Sequence, residues 1–137
     1  MDRGALIRQR VDEYFASGKY NCTMTVLAVL SEIFEIPVGP QTMGAGQCLP
    51  SAGGTGGLCG LVSGMLMFLG VWGHEEGFHR QALQPGCLRL MEAIEGRFGS
   101  TLCTELRPAD GCAPLAVAFL EFIVPIVEEV SIRRISC

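Results

Sequence analysis

Leu58 to Trp72 is a run of fifteen consecutive uncharged residues. A helix that is apolar on all sides must be buried on all sides, either in a membrane or in the middle of a protein core. The run contains Gly60, Gly64 and Gly70 and is too short for about 30 Å of hydrocarbon. It therefore reads as a buried helix around which the other elements are arranged. A second apolar stretch, Ala113 to Val127, is interrupted by Glu121 and carries Pro114 and Pro125. Neither stretch is expected to span a membrane, and both suit a core or a contact between subunits.

The remaining periodicity is also helical. Residues 5 to 17 put Leu6, Ile7, Val11, Tyr14 and Phe15 on one face, and Gly18 ends that helix. Asn21 is a good N-cap for a second helix carrying Val26, Leu27, Val29, Leu30, Ile33 and Phe34, stopped by Pro37 and Gly39. Residues 39 to 57 hold seven glycines and two prolines among nineteen positions, which predicts a long irregular loop feeding the apolar helix 58–71. His74 to Leu83 reads as a weak polar helix. Pro85 suits the first position of another that runs to Phe98 and is capped by Gly99. Ser100 caps a short turn through Leu106, and Pro114 starts a last helix to about Ile132. With no period-2 strand and no internal repeat, the expectation is a single all-α domain over residues 1–137. It comprises six or seven helices around one core, with a long Gly-rich loop before the central apolar helix.

Ten Lys+Arg against fourteen Asp+Glu give a formal charge of −4, and no basic cluster exceeds Arg133-Arg134. A nucleic-acid partner is therefore not expected. Charged residues are only 18% of the chain and mean hydropathy is +0.37, which points to apolar surface covered by a partner and so to a homo-oligomer, a dimer at least. The first ten residues lack the apolar stretch of a secretory signal, so the expected location is the cytoplasm, where cysteines serve catalysis, redox sensing or metal binding more often than structural disulfides.

The seven cysteines are placed in a pattern. Cys22 follows the Asn21 cap, Cys59 opens the apolar helix, Cys87 follows Pro85, Cys103 follows the Ser100 cap and Cys112 precedes Pro114. All five lie within about one turn of a predicted helix start, where free N–H groups and the helix dipole stabilise a thiolate. The plain alternative is that each is a small buried apolar side chain. Cys48, in the loop, and Cys137, at the terminus, are read that way. If helix-start polarity sets reactivity, Cys59, between flexible glycines, is the thiol with the lowest pKa.

The gaps of 26, 11, 28, 16, 9 and 25 residues contain no C-x-x-C. Neither a thioredoxin-like dithiol nor a zinc-ribbon knuckle is present, and a metal site would have to gather its ligands one at a time. Gly54, Gly56, Gly57 and Gly60 are the positions whose bare backbone could face an anion or cofactor, or could instead let the chain approach Cys22 closely. His74 and His79 do not share the i, i+4 face of a zinc-binding helix.

Asn21-Cys22 with Val26 and Leu27, then Gly53-Gly54-Thr55-Gly56-Gly57-Leu58-Cys59-Gly60-Leu61-Val62-Ser63-Gly64, then Phe98-Gly99-Ser100-x-x-Cys103-x-x-Leu106 and Cys112-x-x-Leu115 together resemble the C_GCAxxG_C_C family over roughly residues 11 to 130. The resemblance implies an all-helical cytoplasmic domain with a suspected redox or iron-related role. Two departures stand out. Gly60 occupies the position where the strict motif ending on Gly64 would have its cysteine, and the Cys103–Cys112 connection is short.

Residues and resemblance together nominate Cys22, Cys59, Cys103 and Cys112. They would act either as catalytic thiols in thiol–disulfide or electron-transfer chemistry with a redox partner protein, or as ligands to iron, an iron–sulfur cluster or zinc. The competing class is a non-enzymatic helical metal-binding or assembly module whose cysteines are mostly structural.

Overall fold

The first helix begins where Asp2 accepts the Ala5 N–H (2.7 Å) and ends where Gly18 turns left-handed. This is α1 (Arg3–Ser17) in a computed structural model that describes residues 2–136, with side chains described to residue 131. It is followed by α2 (Cys22–Phe34), α3 (Pro40–Gly44), α4 (Ser51–Gly54), α5 (Gly60–Glu76), α6 (Arg80–Phe98), α7 (Cys103–Leu106) and α8 (Ala113–Ser136). The all-α expectation holds. Five helices are long, and the predicted glycine loop contains two short ones, α3 and α4.

The uncharged run becomes the middle of the fold. In α5, Leu61, Val62, Met65, Phe68, Leu69 and Trp72 are all buried. They meet Val26, Leu27 and Leu30 of α2, Leu90 and Ile94 of α6, and Phe119, Leu120 and Ile123 of α8 in one core, with Ile7 and Val11 of α1 closing it. Both apolar runs are thus absorbed within one chain. Leu88 and Leu102 are the exposed large apolar side chains among the described residues. No described helix is long and apolar enough to cross a membrane.

Two glycines decide how closely α2 and α5 approach. A Cβ on Gly64 would overlap the Thr23 carbonyl and lie 3.0 Å from Val26 Cβ, and one on Gly60 would overlap Cys22 Sγ. The contact is sealed by the buried Thr23 hydroxyl, which donates to the Gly60 carbonyl (2.9 Å). Ion pairs fasten the outer helices: Arg3 to Glu128 and Arg8 to Glu121 join α1 to α8, and Arg10 to Glu32 joins α1 to α2.

Several predicted boundaries move. The apolar helix continues through Gly73 to Glu76 and is capped by Gly77, because Gly73 is a packing position: a Cβ there would overlap the Leu83 side chain. Pro85 does not start a helix; it is the sixth residue of α6. One intrahelical hydrogen bond is lost there, and tertiary packing of Leu83, Leu90 and Ile94 on the core carries the helix through. Cys87 therefore lies in a helix interior and not at a helix start.

Candidate functional site

Cys22 is the first residue of α2 because Asn21 caps that helix, its side chain accepting from the Met24 N–H (2.9 Å). The same Asn21 amide donates to the carbonyls of Gly46 and Gln47 (both 3.2 Å). The loop is thereby tied over the start of α2. Cys59 occupies the N-cap position of α5, Cys103 is the first residue of α7, and Cys112 immediately precedes α8, its carbonyl accepting from the Ala116 N–H (2.8 Å).

Cys59 and Cys103 are joined by a short antiparallel β-bridge between Leu58 and Leu102. The Cys59 N–H donates to the Thr101 carbonyl (2.8 Å), and the Cys103 N–H donates to the Gly57 carbonyl (2.7 Å). Side chains alternate faces along paired strands, so residues 59 and 103 share one face as diagonal neighbours while Leu58 and Leu102 take the other. A single bridge leaves no period-2 pattern in the sequence, and no such pairing was predicted.

All four nominated cysteines line one cavity of about 40 Å³, closed by Leu61, Leu106 and Leu115 and edged by Pro50, Ser51 and Arg107. That space admits a few waters at most. Each of the four thiols is free. Cys22, Cys103 and Cys112 are half-buried, and Cys59 is 5% exposed within the core.

Burial governs the two inner thiols. Cys22 is pushed up to about 11, chiefly by desolvation and then by the nearby Cys59 and Cys112 sulfurs, against hydrogen bonds from Thr23. Cys59 is also raised. Desolvation there outweighs the N–H groups of Leu61 and Val62, which favour the thiolate as the helix-start argument requires, and the Cys103 and Cys112 sulfurs add to the rise. The expectation that helix-start polarity lowers the Cys59 pKa is therefore corrected: the polarity is present, but burial is stronger and the pKa is raised.

The glycines mostly make room for protein atoms. A Cβ on Gly56 would overlap the Thr104 side chain, one on Gly57 would come within 2.9 Å of Ala52 Cβ, and one on Gly60 would overlap Cys22 Sγ. Close approach to Cys22 is thus realised at Gly60. A cysteine in that position, as the strict motif has it, would collide with the neighbouring thiol in this arrangement. Gly54 has open space beside it, with φ +90°.

The remaining cysteines are elsewhere. Cys48 is exposed, and Cys137 lies outside the described residues. Cys87 lines a separate cavity of about 500 Å³ between α5 and α6, with His74, Phe78, His79 and Leu83, so two histidines that do not share a helical face line the same space. Among the described residues no group of three or more His, Cys, Asp or Glu side chains is arranged to hold a metal ion. The four cavity cysteines are not such a group, and a space of about 40 Å³ among them does not fit an iron, iron–sulfur or zinc centre as arranged.

The family model described as "Putative redox-active protein (C_GCAxxG_C_C)" matches residues 20–125. The chain belongs to the C_GCAxxG_C_C family. The matched span runs from just before Cys22 to beyond Cys112, so all four cavity thiols of this C_GCAxxG_C_C protein fall inside it, as do Cys48 and Cys87. No curated protein and no solved structure matches the chain.

Proposed function

We propose that this member of the C_GCAxxG_C_C family is a thiol–disulfide redox protein in which Cys103 meets the oxidant and Cys59 resolves the resulting mixed disulfide. Cys22 and Cys112 form a second thiol pair against the same space, to which the disulfide passes by exchange. The observation that carries this reading is the convergence of four free thiols on one small cavity, with Cys59 and Cys103 on the same face of a β-bridge. Thiol exchange needs sulfurs that can meet after small motions, and disulfide-linked Cα atoms stand about 4.4–6.8 Å apart. The reading sets the protein in a reducing cytoplasm, exchanging electrons with a small disulfide or a partner protein.

Equilibration in graded thiol–disulfide buffers, with counting of free thiols, tests it. Loss of thiols in pairs is expected, reduced by one pair in Cys59→Ser or Cys103→Ser and unchanged in Cys48→Ser and Cys87→Ser. Thiols that stay reduced throughout would leave the cysteines as structural core. Visible absorption with bound iron in protein purified without oxygen would replace thiol exchange by cluster chemistry.

A further inference from the structure

Outside the cysteine cavity lies an open groove of about 410 Å³, formed where the glycine loop faces α7. Ser51, Cys103 and Arg107 line both spaces. Cys103 is thus the thiol that a molecule in the groove would meet first, with Cys59 behind it. The groove is large enough for a small ligand, whereas the cavity is not. Its wall is mostly neutral, made by Ser51, Gly54, Gly56 and Thr104, and among the described residues Arg107 is the only charged one that lines it. The Arg107 N–H donates to the Cys103 carbonyl (2.9 Å), an i, i+4 relation that sets the two residues one above the other. Arg107 is exposed, and among the described residues it forms no ion pair, unlike Arg3, Arg8, Arg10 and Arg89.

We infer that this groove is the substrate site for a small disulfide bearing carboxylates, with Arg107 pairing a carboxylate while a disulfide sulfur faces Cys103. The inference rests on the thiol-exchange reading above. The Cys103 thiolate attacks one sulfur of R–S–S–R, the S–S bond breaks, and one RS⁻ leaves and takes up the proton lost by Cys103. The Cys59 thiolate then attacks Cys103 Sγ and expels the second RS⁻, which is protonated in turn. One disulfide is reduced to two thiols, and two cysteines are oxidised to one disulfide. The selectivity runs against the net charge of −4, which by itself disfavours anions. A preference for the anionic disulfide therefore has to come from a local cation, and Arg107 is the one in place.

The test compares second-order oxidation rates of the reduced protein by three small disulfides: dithiodiglycolate (anionic), hydroxyethyl disulfide (neutral) and cystamine (cationic). The anionic one is expected to react about fivefold or more faster than the neutral one, after correction for the intrinsic rates of the three with a free thiol; that is the scale of one partly exposed charge pair. Arg107→Gln should remove the preference and Arg107→Lys should keep most of it, the ratio of anionic to neutral rate being compared within each variant. In the wild-type protein, 1 M salt should reduce the preference, which tests the inference without any variant. Equal corrected rates for the three disulfides would overturn the substrate assignment and leave thiol exchange standing. No reaction with any of them would overturn the thiol reading itself.

Discussion

Gly60→Ala and Gly70→Ala make the same substitution in the same helix and should change stability in opposite directions. At position 60 the new Cβ overlaps Cys22 Sγ and lies 2.8 Å from Thr23 Oγ1 and 3.0 Å from Pro50 Cα. Pro50 Cα is backbone, and Thr23 is held by its bond to the Gly60 carbonyl, so relief requires α2 and α5 to separate. Overpacking of this kind costs about 1–3 kcal/mol, and the first helical position returns little of the propensity gain of alanine. A net loss of about 1–2 kcal/mol is expected, or about 4–7 °C in Tm for a chain of this length. At position 70 a Cβ meets nothing within 4 Å, and the helix interior should gain about 0.5–1 kcal/mol. Urea unfolding followed by circular dichroism reads both. A Gly60→Ala protein as stable as the wild type would refute the close contact between the α5 start and Cys22.

Asn21→Ala removes an N-cap and the two hydrogen bonds to the Gly46 and Gln47 carbonyls; a loss of about 1–2 kcal/mol is expected, with faster alkylation of Cys22 in the folded protein as the loop loosens. Burial holds the Cys22 thiol protonated to about pH 11, whereas the ordinary value is 9.0. The unfolded chain therefore loses its proton first, and stability is intact below pH 9 and lost as pH rises toward 11. Allowing for screening at a half-buried thiol, wild type should lose about 1–2 kcal/mol more than Cys22→Ser over that interval in urea titrations. Cys87 lines a different cavity, so Cys87→Ser should leave redox thiol counts and midpoints unchanged; a shifted midpoint would show that the two cavities are coupled.

The helical architecture was legible because caps and apolar periodicity are local. Asn21 and Gly18 mark their helix ends in the structure as in the sequence, and the uncharged run could only be central. Pro85 misled because a proline is read as a local stop, whereas the packing of Leu83 and Leu90 on the core is a tertiary effect. The site was legible as a set of residue types at helix starts, which nominated Cys22, Cys59, Cys103 and Cys112; the same reading put Cys87 at a helix start, where the structure has a helix interior. The upward shift of Cys59 was not legible. Helix-start N–H groups can be read from position, but the desolvation that overrides them at Cys59 depends on what α2, α7 and α8 place around it. Arg107 was missed for a related reason: its proximity to Cys103 depends on a one-turn helix, and its exposure on a groove wall that only the folded glycine loop completes.

The central claim is that the cavity thiols exchange with one another and that Cys103 and Cys59 are the first pair. Peptide mapping by mass spectrometry, after oxidation of the reduced protein with one equivalent of a small disulfide and acid quenching, tests it most directly. The expected product is a Cys59–Cys103 disulfide, with crosslinks to Cys22 or Cys112 appearing at longer times and Cys48 and Cys87 remaining free. Crosslinks dominated by Cys48, Cys87 or Cys137, or protein left fully reduced, would contradict it.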